Sequence, residues 1–250
     1  MTRPASLGAR VLLALLVVSA FAILIGLGTW QMQRLAWKEA LIAAATDRPQ
    51  SPAKAPPGPD AWRTFDLDQW NYQRVRLTGT FGPNEAHSWI ALSEPHGPIG
   101  GPGDFVVAPF TTEEGWSVLV NRGFVPEAKK DPATRPGSEP PEGVVTIEGI
   151  IRRDDTPNTF TPDPDLEKNR FFGRHIATMA PYLGLSLENT APYSIDLVAE
   201  ETPAGGLPQA GESVVTFRNP HLQYALTWYG IAAALVGVVG VVLWRRRKGA

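Results

Sequence analysis

Residues 11–30 (VLLALLVVSAFAILIGLGTW) and 224–244 (YALTWYGIAAALVGVVGVVLW) contain no charged side chain, and they stand near opposite ends of a chain of 250 residues. Twenty residues of α-helix rise about 30 Å, the thickness of a bilayer's hydrocarbon core. A chain built this way is expected to cross the membrane twice and to hold whatever lies between the spans on one side of it. Ala20-Phe21-Ala22 mimics a signal-peptide cleavage site, but the apolar run continues past it, which favours an uncleaved anchor. In the second run Gly230, Gly237 and Gly240 lie among Ala233 and Ala234, a pattern that permits close helix contact in lipid and that also occurs as ordinary glycine usage there.

The basic residues set the orientation. Arg245, Arg246, Arg247 and Lys248 follow the second run directly, whereas Arg218 alone falls in the twenty residues before it. Positive charge collects on the cytoplasmic side, so the C-terminus is expected there, and two spans bring the N-terminus to the same side. The resulting plan is a cytoplasmic N-terminus (1–10), a first span (11–30), an exported domain (31–220), a second span (221–244) and a basic cytoplasmic tail (245–250). Trp30, Trp228, Tyr229 and Trp244 sit where aromatic belts meet the lipid interface. All 25 Asp and Glu lie between Glu39 and Glu212, against 17 of the 23 Lys and Arg in residues 31–220. An acidic exported part points to lipid at its ends and away from nucleic acid, which selects clustered basic residues. Cysteine is absent, which excludes disulfides, CxxC redox chemistry, cysteine-held iron–sulfur clusters and covalent c-type haem. With only Met1, Met32 and Met179 besides, soft sulfur ligation of copper is also disfavoured.

Between the spans the periodicity changes. Gln31–Ala45 reads as a continuation of the first helix, with Trp30, Arg34 and Trp37 on one face. A Pro-rich loop follows at 48–60, RPQSPAKAPPGPD. Strand-like runs then appear at Arg74–Phe81, His87–Leu92, Phe105–Phe110, Trp116–Asn121, Val144–Ile151, Ile195–Ala199 and Ser213–Phe217. Gly/Pro-rich joints separate them, among them GPIGGPGD before Phe105. A short helix is expected near Thr178–Leu187 with Thr178 as N-cap. The fold class expected is two transmembrane α-helices flanking a β-rich extracytoplasmic domain, a small sandwich or barrel with one or two short helices.

No hydrolase, zinc-protease, P-loop or dinucleotide motif occurs, so no catalytic residue is nominated and a non-enzyme is expected. Asp163, Asp165, Glu167 and Asn169 alternate like the start of a calcium loop, but Lys168 stands where the loop needs Gly and Arg174 where it needs Glu. His87 and His96 have no partner at ligand spacing, and His175 stands in a strand-like context. Asn121-Arg122-Gly123 reads as a strand end with a turn that needs Gly. His221 differs by its place. Asn219 is a good N-cap and Pro220 suits a first helical position, which puts His221 on the first turn at the membrane edge. Tyr224, Ala225 and Trp228 share its face. Such a histidine can be an interfacial residue that tolerates the boundary, or a ligand to the iron of a membrane-embedded porphyrin.

Four segments in order, GTWQMQRLAWK (Gly28–Lys38), RVRLTGTF (Arg74–Phe81), NRGFVP (Asn121–Pro126) and NPHLQYALTWYG (Asn219–Gly230), resemble the Surfeit locus protein 1 family, from one end of the chain to the other. The family more often has Trp where Phe124 stands, and residues 131–143 show none of its pattern. The resemblance implies an assembly factor for haem–copper terminal oxidases such as cytochrome c oxidase. It implies transient binding of haem a, taken from haem a synthase and helped into the catalytic oxidase subunit. The family's second-helix histidine corresponds to His221, which makes His221 the candidate ligand of the haem iron and Tyr224 and Trp228 candidates for lining the site. The bacterial inner membrane is the expected home. The alternative is a membrane-anchored interaction scaffold that stabilises an oxidase subunit without binding haem.

Overall fold

The structure, a computed structural model, describes residues 6–155, 157–212 and 219–248. The chain divides into two compact units, residues 1–43 with 216–250, and residues 44–215. The strand expected at Ser213–Phe217 lies outside the described residues.

The larger unit is a β-barrel. Its strands are β1 (Arg74–Phe81), β2 (Ala86–Leu92), β3 (Gly101–Thr112), β4 (Ser117–Pro126), β5 (Val145–Arg153) and β6 (Thr190–Leu197). They are hydrogen-bonded in the order β1-β5-β6-β4-β3-β2, and β1 also pairs with the far end of β3. The second pairing (Gly79↔Thr112 to Phe81↔Phe110) closes five strands into a barrel and leaves β2 on the other half of the same β3 edge. Neighbours are antiparallel except β4 and β6, which run parallel. Gly79 sits at the closure because a Cβ there would lie 2.2 Å from the Thr111 carbonyl oxygen.

The barrel core contains Val75, Leu77, Phe110, Val118, Val120, Ile147, Ile151, Tyr193 and Ile195. A second apolar cluster lies beneath the short helix α3 (Ile176–Tyr182; a four-residue helical turn, α2, spans Leu67–Trp70), where Ile176, Met179 and Ala180 meet Ala86, Val107, Leu119 and Phe171. A third joins Leu92, Phe105 and Phe124. Strands β3 and β4 are therefore covered on both faces, and the alternation expected of a half-exposed strand is lost in them. The Pro-rich segment packs onto the barrel. The Tyr193 hydroxyl and Trp62 Nε1 both donate to the Pro57 carbonyl, at 2.6 and 2.9 Å, and Lys54 bridges Val75.

Several local expectations need correction. β3 begins at Gly101, inside the joint GPIGGPGD, because Gly103 is a packing residue: a Cβ there would lie 2.6 Å from the Phe124 ring. β4 runs through Asn121-Arg122-Gly123, which is no strand end, and β6 starts at Thr190 and stops before Ala199. The short helix opens two residues before Thr178, with His175 in the N-cap position, so His175 is not in a strand. Asp154 takes over the capping, its Oδ1 accepting from Ile176 N at 2.8 Å. Asp165 forms a turn closed by Lys168 and Arg170, and no metal-binding cluster of acidic or histidine residues occurs among the described residues.

The smaller unit is built from helix α1 (Leu7–Asp47), up to Ala43, and helix α4 (His221–Lys248). Both contain an 18-residue window apolar enough to cross a membrane, and only 6% of each window is buried against protein. A core helix of a water-soluble fold would be mostly covered; these need lipid as their solvent. The chain is thus anchored by two long apolar helices that flank a β-barrel in the sequence. The helix expected to continue beyond Trp30 does so to Asp47, with the Arg34 guanidinium 4.5 Å from the Trp37 ring centre.

Candidate functional site

Helices α1 and α4 lie antiparallel, and their covered positions recur at intervals of three, four or, from Val17 to Leu24, seven residues. The seam of α1 is Val17, Leu24, Gly28, Gln31 and Leu35; that of α4 is His221, Ala225, Trp228, Ala232, Leu235 and Val239. This is the knob-and-hole spacing of paired helices. The Tyr229 ring of α4 lies against the α1 backbone at Gly28, where a Cβ would stand 2.6 Å from it. The Tyr229 hydroxyl lies 3.2 Å from Thr29 Oγ1. A single turn further along α1, Gln31 faces His221, and Gln31 Oε1 lies 2.7 Å from His221 Nδ1.

His221 thus sits on the first turn of α4, with the Pro220 carbonyl accepting from Tyr224 N at 3.2 Å. Helical geometry begins one residue later than an Asn219 N-cap implies. Of the side chains expected to share its face, Ala225 is buried and Trp228 half-buried on the seam, while Tyr224 points off it and is 52% exposed. A Cβ on Gly230, Gly237 or Gly240 would find no atom within 4 Å, so none of them is a close contact with α1, although Gly240 lines an apolar groove with Val17, Val18 and Phe21. The close-contact glycine of this pair is Gly28, on the other helix. Gln31 was not singled out from the sequence. The signal that locates it is the register Leu24, Gly28, Gln31, Leu35, which puts one amide among seam positions.

The barrel unit carries two buried charge clusters. Asp196 of β6 pairs with Arg174, accepts from Asn121 Nδ2 at 3.2 Å and stands 3.7 Å from Arg152 Nε. Burial works against the Arg174 charge, but Asp196 and Asp155 overcome it and raise its pKa. This cluster lines a cleft of about 220 Å³ with Trp89, Phe105 and Phe172. In the second cluster Glu85 pairs with Arg135 and with His87 Nε2 at 2.8 Å. Arg122 lies nearby, 3% exposed, donating to the Ser138 carbonyl at 2.8 Å. Burial, with the charge of Arg135, pushes its pKa down to about 10 despite Glu85 and Glu139. Asn121 and Arg122 therefore belong to interior polar networks. His87 is buried within one of them, and His96 Nδ1 lies 3.1 Å from the Gly211 carbonyl.

The model of the SURF1 family matches residues 18–233, which takes in most of α1, the whole barrel and the first half of α4. The chain belongs to the SURF1 family. Among its relatives is a SURF1-like protein of Monosiga brevicollis, 37% identical over 245 residues, covering 93% of this chain and 87% of the relative. The Surfeit locus protein 1 of Homo sapiens is 36% identical over 234 residues, 89% of this chain and 73% of the relative. That of Takifugu rubripes is 33% identical over 225 residues, 84% and 88% respectively. In this SURF1 family member the matched span encloses both Gln31 and His221, so the pair of residues that joins the helices lies inside the part shared with the family.

Proposed function

We propose that this chain is an assembly factor for a haem–copper terminal oxidase, cytochrome c oxidase in type. In this reading it takes haem a from haem a synthase through His221 and assists its transfer into the catalytic subunit. The observation that carries the reading is the His221 imidazole. It is half-buried at the mouth of a lipid-facing helix pair, and among the described residues its Nδ1 alone is hydrogen-bonded. The donor set fits a porphyrin iron, because an imidazole nitrogen without a protein partner is what such an iron takes as an axial ligand. When bound, the iron would give the site its colour and redox couple. The chain's own contribution is one ligand, an aromatic neighbour in Trp228 and an apolar seam below. A single ligand beside lipid suits a carrier that must also release its cargo, and the exposed Tyr224 is then free to meet the porphyrin rim or the partner that receives it.

Membership of the SURF1 family and the resemblance of four ordered segments support the assignment to oxidase assembly. The basic run after α4 supports cytoplasmic termini and a periplasmic barrel in a bacterial inner membrane.

The test is the visible spectrum and pyridine-haemochrome assay of detergent-purified protein co-expressed with haem a biosynthesis, beside His221→Ala. The expected outcome is a haem a signal in the wild type that is lost in the variant. Equal haem in both, or none in either, would overturn the reading. A second reading, a scaffold that holds an oxidase subunit without haem, draws on the open face of α4 at Gly230, Gly237 and Gly240. It requires oxidase capture by mild crosslinking that survives His221→Ala and is lost when these glycines are made leucine.

A further inference from the structure

Neutral imidazole has one nitrogen that donates and one that accepts, and the hydrogen bond made by one ring nitrogen decides which of the two keeps its lone pair. His221 Nδ1 lies 2.7 Å from Gln31 Oε1, and a carbonyl oxygen can only accept. The ring is therefore held as the Nδ1–H tautomer, with the lone pair on Nε2. Gln31 is 9% exposed on the α1 seam, between Gly28 and Leu35, where an amide oxygen without a partner would be costly. The helix spacing that brings it within reach is set one turn away by the Tyr229 ring on Gly28 and by the contact of the Tyr229 hydroxyl with Thr29.

We propose that Gln31 is the positioning residue of the His221 site: its side-chain carbonyl selects the ligating tautomer, fixes the ring plane and raises the basicity of Nε2. The inference rests on the reading of His221 as an iron ligand and adds a residue of the first helix to it. Iron-ligating histidines are held this way by an acceptor on the other ring nitrogen, and removal of that acceptor typically weakens metal affinity about 10–100-fold. Here the acceptor comes from α1 and the ligand from α4, so the site exists only while the two helices are paired. A relative movement of α1 and α4 would loosen the ring, which gives the carrier a route to release that leaves the ligand itself unchanged.

The experiment uses the full chain in detergent at a pH where imidazole is neutral, as wild type, Gln31→Leu, Gln31→Glu and His221→Ala. In haem-free protein, ¹⁵N resonances of labelled histidine report the His221 tautomer. The Nδ1–H form is expected in the wild type and Gln31→Glu, and a shift to the Nε2–H form in Gln31→Leu. On titration with haem a, Gln31→Leu should bind about 10–100-fold more weakly, with a lowered iron–histidine stretching frequency that Gln31→Glu restores. If Gln31→Leu keeps the wild-type tautomer, affinity and stretch while His221→Ala loses the haem, ligation by His221 stands and the role of Gln31 falls. If the wild type shows the Nδ1–H tautomer but His221→Ala binds haem a equally well, the ligand assignment falls and the positioning role with it.

Discussion

Asp104 and Glu85 are carboxylates of the same barrel that their surroundings drive in opposite directions. For Glu85, burial works to raise the pKa, but the hydrogen bond to His87 and the charges of Arg135, His87 and Arg122 hold it below the usual range. Asp104 is fully buried on β3, and neither oxygen has a hydrogen bond among the described residues. Burial raises its pKa; Lys130, His87 and Arg170 offset this in part, and Glu127 adds to it. A raised native pKa means that the folded state keeps a proton which the unfolded chain has already lost. Stability then falls as pH rises from the ordinary Asp value through the raised one, and it stays lower above that window. The prediction is that Asp104→Asn raises the melting temperature at pH 7 and that the difference from wild type closes as the pH drops below about 4, the ordinary Asp value. Thermal unfolding followed by circular dichroism over that range measures it, and an unchanged or lowered melting temperature at pH 7 would count against it.

β4 shows what a strand pattern conceals. Val118, Leu119 and Val120 were legible as a buried strand, but Asn121-Arg122-Gly123 resembles the polar and glycine punctuation that ends one. The strand continues because partners too distant in sequence to be paired by pattern satisfy those residues: Asp196 for Asn121, and the Ser138 carbonyl for Arg122. Gly123 lies opposite a register shift at Val106/Val107, with φ of 129°, and a Cβ there would lie 2.2 Å from the Gln209 carbonyl oxygen. That glycine serves a bulge and a close backbone approach rather than a turn. Gly123→Ala is therefore predicted to cost about 1–3 kcal/mol from the backbone conformation alone, with the displacement of the 209–210 segment in addition. In a domain of this size that is a fall of at least about 2–4 °C in melting temperature. A variant that melts with the wild type would show that the bulge relaxes without strain. At the helices the position is reversed. The apolar runs are plain in the sequence, but the glycine pattern lies on α4, whereas the close contacts are made by Gly28 and Gln31 of α1, and the place of Gln31 depends on contacts with Tyr229 and His221 that have no local signature.

The existence of a β-rich domain between two apolar helices could be read from residues alone, because hydrophobic periodicity is a local property. Barrel closure could not be read, since it depends on Gly79 meeting Thr112 and on the parallel pairing of Val120 with Ile195, contacts without a local signature. That closure has a consequence for autonomy. A closed barrel has few free edges, and here the exposed edge of β2 is itself partly covered: Trp89 N donates to the Phe171 carbonyl and Phe171 N to the His87 carbonyl, both at 2.8 Å. The three apolar clusters of the barrel contain no residue from 7–43 or 219–248. Exposed large apolar side chains crowd α1 and α4, but among the described residues of the barrel unit there are six, well separated in sequence: Trp89, Val144, Phe160, Leu166, Tyr182 and Leu187. Scattered apolar side chains of that kind do not drive association; contiguous patches do. A fragment of residues 44–215 is accordingly predicted to fold as a water-soluble monomer, with β-rich circular dichroism and one cooperative thermal transition. If it instead aggregates, or melts without cooperativity, then the barrel depends on the helix pair for its stability, and loss of either helix would remove the whole fold rather than its anchorage alone.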